Sequence, residues 1–92
     1  MRIACIIMAH KEPQQIERLV KKFEHFPFDF YIHLDKKVRQ EPFLYLAEMP
    51  NVQFVRRRIK VRWASYSFVR AVRVAIKTVL EGNTHYDVIN VM

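Results

Sequence analysis

A carboxylate, an imidazole, an indole and a block of cations are the groups in this chain with chemistry to offer. They are Asp35, His10, Trp63 and the five basic residues among the seven of Arg56 to Arg62. An aromatic ring stacks on a base, a carboxylate takes hydrogen bonds from a base or a ribose, and cations neutralise phosphates. The combination suits a nucleoside diphosphate, with Arg58, Lys60 and Arg62 as the expected phosphate or anion contacts. His33 and Asp35 stand at i, i+2, on one face of any strand that carries them, and in principle share a metal ion. His25 and His85 lie elsewhere and complete no metal-ligand spacing, and there is no Asp-x-Asp triplet, so no metal is expected. The chain has one glycine, which excludes a Gly-rich phosphate loop of either the dinucleotide or the Walker type.

Those groups need a frame, and the hydrophobic pattern supplies one. Ile3 to Ala9 is a continuous apolar run, the mark of a strand buried on both faces. Pro13 then suits a first helical turn, and Ile16, Leu19, Val20 and Phe23 follow as one apolar helix stripe. Phe28, Phe30, Ile32 and Leu34 alternate with Asp29, Tyr31, His33 and Asp35, a period of two that predicts a second strand. A short helix is predicted at Glu41 to Glu48 and a third strand at Val52 to Val55. After the basic run, Ser65 or Ser67 is expected to cap a long helix with Val69, Val72, Ile76, Val79 and Leu80 as its stripe. Gly82-Asn83 reads as a left-handed stop, and Tyr86 to Met92 as a fourth strand.

Strand and helix alternate throughout, which predicts one α/β domain over residues 1–92: a Rossmann-like parallel sheet in the order 3-2-1-4 with right-handed crossovers and flanking helices. Ligands of such sheets bind beyond the carboxyl ends of the strands, near the reversal of strand order. Ala9-His10, Asp35, the basic loop and Trp63 all fall at that edge. Strand 4 is expected to leave an open flank prone to self-association.

Composition narrows the classes further. A 51% hydrophobic and 13% aromatic content supports a packed core and excludes disorder. The net charge of +7 favours anionic partners: nucleotide phosphates, nucleic acid or an anionic membrane face. Cys5, the only cysteine, lies in an apolar run and reads as a buried thiol with no disulfide partner. No apolar stretch approaches the roughly 20 residues of a membrane span. The first apolar run ends in His10-Lys11-Glu12 with no cleavage site, which favours a strand over a signal peptide.

Five segments in register give the chain a resemblance over essentially its whole length. They are Ile7-Met8-Ala9-His10-Lys11 with Glu17-Arg18-Leu19, Phe30-Tyr31-Ile32-His33-Leu34-Asp35-Lys36-Lys37, Pro50-Asn51-Val52, Val61-Arg62-Trp63-Ala64-Ser65-Tyr66-Ser67, and Tyr86-Asp87-Val88-Ile89-Asn90. The sequence resembles the core-2/I-branching β-1,6-N-acetylglucosaminyltransferases and their bacterial relatives, a family that also includes xylosyltransferases. The resemblance implies the amino-terminal, nucleotide-sugar-binding portion of a longer GT-A-like glycosyltransferase domain. It implies a UDP-sugar donor, most often UDP-GlcNAc, and inverting, metal-independent transfer to a carbohydrate acceptor. Carried over by motif, Ala9, His10, Asp35 and Trp63 would line the uridine pocket. Bacterial relatives often carry Gly-Gly where this chain has Ala64-Ser65, although Ala-Ser also occurs in the family. Inverting transfer needs a carboxylate to deprotonate the attacking hydroxyl. The resemblance supplies no such base, so no catalytic residue is assigned within 1–92 and the chain alone is expected to be inactive.

The rival reading is a basic interaction module that uses the Arg56–Arg62 loop and Trp63 on RNA or single-stranded DNA. Such binding falls steeply with salt and shows little preference for uridine. An obligate nucleic-acid partner is not expected. Animal relatives are held in the Golgi by an amino-terminal anchor, whereas this chain starts at its first strand, as bacterial relatives do. The expected location is therefore the bacterial cytoplasm, with membrane association at the inner face as a peripheral protein.

Overall fold

The computed structural model describes residues 1–62, 66–82 and 84–91. Its elements in chain order are β1 (Ile3–Ala9), α1 (Pro13–Lys22), β2 (Phe28–Leu34), a 3-10 helix (Glu41–Glu48), β3 (Val52–Phe54), α2 (Tyr66–Glu81) and β4 (Val88–Val91). The four strands form one parallel sheet in the order β3-β2-β1-β4, as the alternation of elements predicts. β1 pairs with β2 along its full length, from Ile3 opposite Phe28 to Ala9 opposite Leu34.

Because successive side chains of a strand point to opposite faces, β1 feeds two cores. Cys5, Ile7 and Ala9 join Phe30, Ile32, Leu34 and Val52 under α1 and the 3-10 helix, which contribute Ile16, Val20, Phe43 and Leu46. Ala4, Ile6, Tyr31 and Val55 face α2, which contributes Ala75 and Val79. Burial holds the Cys5 thiol above its ordinary pKa and keeps it protonated. A third cluster joins Ile59 and Val61 of the basic loop to Ala71 of α2, so the loop is part of the packed structure.

The local expectations are met in part. The buried face of α2 is Ala71, Ala75 and Val79; of the predicted stripe Val79 is buried and Ile76 packs beside it, whereas Val69 is 49% and Leu80 70% exposed. Small side chains let the helix approach the sheet closely, and this contact outweighs the larger apolar residues one turn-face away. Ser67 does not cap α2. It lies inside the first turn, where its Oγ accepts the Arg62 N–H at 2.8 Å; Ser65 lies outside the described residues. Gly82 is not left-handed, since Glu12 is the one described residue with positive φ; Asn83 is outside the description. The helix predicted at Glu41 to Glu48 is a 3-10 helix, and the fourth strand begins at Val88 because Tyr86 instead turns inward to meet the Tyr31 hydroxyl at 2.9 Å. Among the described residues, no helix is long and apolar enough to cross a membrane.

Candidate nucleotide site at the carboxyl ends of β1 and β2

Beyond the last paired residues the ends of β1 and β2 stay together, because the Asp35 N–H donates to the Ala9 carbonyl at 2.9 Å. Ala9 is buried and His10, next along the chain, is exposed. The turn into α1 runs through Glu12, whose φ of 56° and ψ of 67° lie in the left-handed region. A residue with a side chain pays about 1–2 kcal/mol for that conformation, and such strain concentrates where geometry serves function.

The basic loop is pinned across these strand ends by β2 itself. Arg58 turns inward: its Nε donates to the Leu34 carbonyl at 3.1 Å, and one terminal nitrogen donates to the carbonyls of Asp35, at 2.9 Å, and Val38. The Lys36 N–H returns a bond to the Ile59 carbonyl at 3.2 Å. His33 and Asp35, projecting from the same face of the strand end, accept amides two apart on the loop. His33 Nε2 takes the Ile59 N–H at 3.0 Å, and Asp35 Oδ1 takes the Val61 N–H at 3.3 Å. The matched i, i+2 spacing makes the loop an extended rung, with Ile59 and Val61 inward and Lys60 and Arg62 exposed.

Both anchors are buried. Asp35 is 3% exposed; its Oδ1 also accepts the Lys37 N–H at 2.9 Å, and Lys37 Nζ stands 3.6 Å from Oδ2. Asp35 is therefore first a loop anchor, with Oδ2 as its remaining acceptor. His33 is fully buried, and its Nδ1 has no hydrogen-bond partner among the described residues. Desolvation holds its pKa below the ordinary value; the Asp35 anion opposes that shift and the Arg58 cation adds to it. An imidazole that accepts at Nε2 carries its proton on Nδ1, so this ring is neutral.

The predicted residues separate accordingly. Ala9, Asp35 and Arg58 are brought together at the two strand ends, with His10 adjacent and Lys60 and Arg62 on the outer side of the loop. Arg58, expected as a phosphate contact, braces the strand end through its Nε and one terminal nitrogen and also borders a cavity beside the loop. Trp63 lies outside the described residues. A cavity of about 360 Å³ opens beside the loop, lined by Lys36, Arg57, Lys60 and Arg70 among others. Lys36 and Arg70 were not singled out as site residues in the sequence, and in a chain of 16 Lys and Arg nothing marks them. His33 had a signal: its i, i+2 relation to Asp35 fitted two loop amides rather than a metal. Among the described residues, no three His, Cys, Asp or Glu side chains gather in a metal-binding group.

A parallel sheet in this order, with helices on both faces and polar side chains gathered at the carboxyl ends of the central strands, is a Rossmann-like fold of the GT-A kind. The chain belongs to the Core-2/I-Branching enzyme family, whose model matches residues 3–91. Membership makes it a glycosyltransferase-related protein. Among proteins of curated function, none matches the chain.

Proposed function

We propose that residues 1–92 are the donor-binding portion of a longer glycosyltransferase domain that transfers N-acetylglucosamine or a related sugar from a UDP-sugar to a carbohydrate hydroxyl. Transfer would be inverting and independent of metal. The observation that carries the reading is the basic loop held over the joined ends of β1 and β2 by Asp35, in a member of this family. Ala9, His10 and Trp63 would line the uridine side. Asp35 would order the loop and offer Oδ2 to a base N–H or ribose hydroxyl. Lys60 and Arg62 would meet the diphosphate, with Lys36, Arg57 and Arg70 extending the cationic seat around the adjoining cavity.

The catalytic carboxylate would come from outside these residues, so the isolated chain is expected to bind UDP and not to catalyse. The edge strand β4, with Val88 and Val91 both more than 40% exposed, would be the route of any self-association; sedimentation of a concentrated sample should then show dimers. As a peripheral protein the chain would work beside the membrane on which glycans are built.

The test is a UDP titration of isotope-labelled protein followed by amide shifts. Saturable shifts at Ala9, His10, Asp35 and Lys60, absent with inorganic phosphate and weakened by Asp35→Asn, are expected. A response to phosphate equal to that with UDP, or an affinity untouched by Asp35→Asn, would refute the pocket assignment. Tighter binding to single-stranded RNA than to UDP, steeply salt-dependent, would favour the rival basic module.

A further inference from the structure

The outer face of α2 is at once cationic and apolar. Arg70, Arg73 and Lys77 lie on the side turned away from the sheet, in a strip beside that of Val69 and Leu80, which are 49% and 70% exposed. Helical geometry puts these five residues within about 100° of arc. Arg57 of the basic loop stands beside them, and Arg57, Arg70, Arg73, Lys77 and Leu80, with Val74 and Ile76, border a groove of about 480 Å³ with no carboxylate in its lining. The helix has one acidic residue, Glu81, at its last position. None of Arg57, Arg70, Arg73 and Lys77 takes part in an ion pair among the described residues. Folding therefore leaves four neighbouring cations uncompensated and two aliphatic side chains in water.

We propose that this face of α2 docks on an anionic lipid bilayer, its cations at the phosphate plane and Val69 and Leu80 in the acyl boundary. Three partners compete for a basic surface, and the aliphatic strip beside the cations decides among them. Nucleic acid gives cations their phosphates but offers aliphatic side chains no apolar sink, and its binding platforms are aromatic. A second copy of the chain would set like charges against each other. A bilayer of acidic lipids satisfies both components at once, since headgroups lie above an apolar layer within the depth one helix face reaches. The 16 residues of α2 span about 24 Å, so the face lies along the membrane plane and does not cross it. Arg57 and Arg70 border both this groove and the cavity beside the basic loop, whereas Arg73, Lys77 and Leu80 border the groove alone and so separate the two surfaces in a test.

Vesicle co-sedimentation of the intact chain tests it. The probes are vesicles of phosphatidylcholine alone and with about one-third phosphatidylglycerol. Binding to the acidic vesicles, weakened by salt, is expected, with little on the neutral ones. Each cation removed should weaken partition about fivefold. Arg73→Gln with Lys77→Gln should therefore reduce it about twenty-fivefold, and Leu80→Ser should reduce it at every salt concentration. These side chains are exposed, so unchanged circular dichroism and unchanged UDP shifts should accompany the loss. Equal binding to neutral vesicles, no binding to acidic ones, or variants that bind like the parent would overturn the proposal. Retention of RNA but not of acidic vesicles, lost in the same double variant, would overturn it in favour of nucleic acid.

Discussion

Acidification should act on this protein through His33. The ring is fully buried, accepts the Ile59 N–H at Nε2, and has its pKa held below the ordinary value of 6.5 by desolvation. Between the folded and unfolded pKa values the unfolded chain binds the extra proton, so stability rises with pH there. The contribution is intact above 6.5 and is lost as pH falls toward the depressed folded value. For a single proton the slope reaches about 1.4 kcal/mol per pH unit. A domain of this size has about 5–14 kcal/mol in all. Protonation also makes Nε2 a donor facing the donor of Ile59, so the loop loses an anchor in the same step. The comparison variant is His33→Gln, whose amide oxygen can accept from Ile59 without titrating. Urea unfolding followed by circular dichroism at pH 7.5, 6.5 and 5.5 should show the parent losing more stability than the variant across that range, by no more than about 1.4 kcal/mol. His10, His25 and His85 are exposed and common to both proteins, so their contributions cancel. Identical pH slopes in parent and variant would refute the reasoning.

Three further outcomes follow from the packing. Arg58→Met strips donors from three carbonyls and should cost about 2–3 kcal/mol in urea unfolding, against about 0.5 kcal/mol or less for the exposed Lys60→Met; equal effects would contradict the inward brace. Ala75→Leu, placed where α2 touches the sheet with no exposed surface, should cost about 1–3 kcal/mol by overpacking and lower Tm by several degrees. Tyr86 donates to Asp29 Oδ2 at 2.7 Å and meets the Tyr31 hydroxyl at 2.9 Å, and burial pushes its phenol far above the ordinary pKa. Spectroscopic titration of the folded protein at pH 11 should leave Tyr86 protonated, and Tyr86→Phe should lower the number of unionised phenols by one.

The sheet order, β1 and β2 were legible because their residues obey simple periodicities and the strand–helix alternation admits few topologies. The candidate site was legible in location but not in the use made of each residue. Arg58 is indistinguishable from Arg56 or Arg57 as a letter in a basic run; only the carbonyls exposed where β2 ends select one of them to turn inward. The polar side of β2 misleads in the same way. Tyr31, His33 and Asp35 alternate as residues of a wet face do, yet all three are buried, because the loop and Tyr86 supply the hydrogen bonds that water would have given. In α2, counting apolar side chains favoured Val69 and Leu80, whereas close approach to the sheet favoured alanine.

β1 sits between β2 and β4, and its two neighbours arrive at very different times. The pairing with β2 is complete once residue 34 exists, whereas Arg2 bonds to Asp87 across a separation of 85 residues, through its own N–H to the carboxylate and the Asp87 N–H to its carbonyl. At ribosomal rates of about 5–20 residues per second, the interval between those events is roughly 3–11 s. Throughout it, a nascent chain carries a β1–β2 pair, joined by β3 once residue 54 exists, with one flank of Ile3 to Ile6 unsatisfied and open to a neighbouring chain on the same message. The last strand thus acts as a closing seal, and crowded translation is the condition under which its lateness matters most.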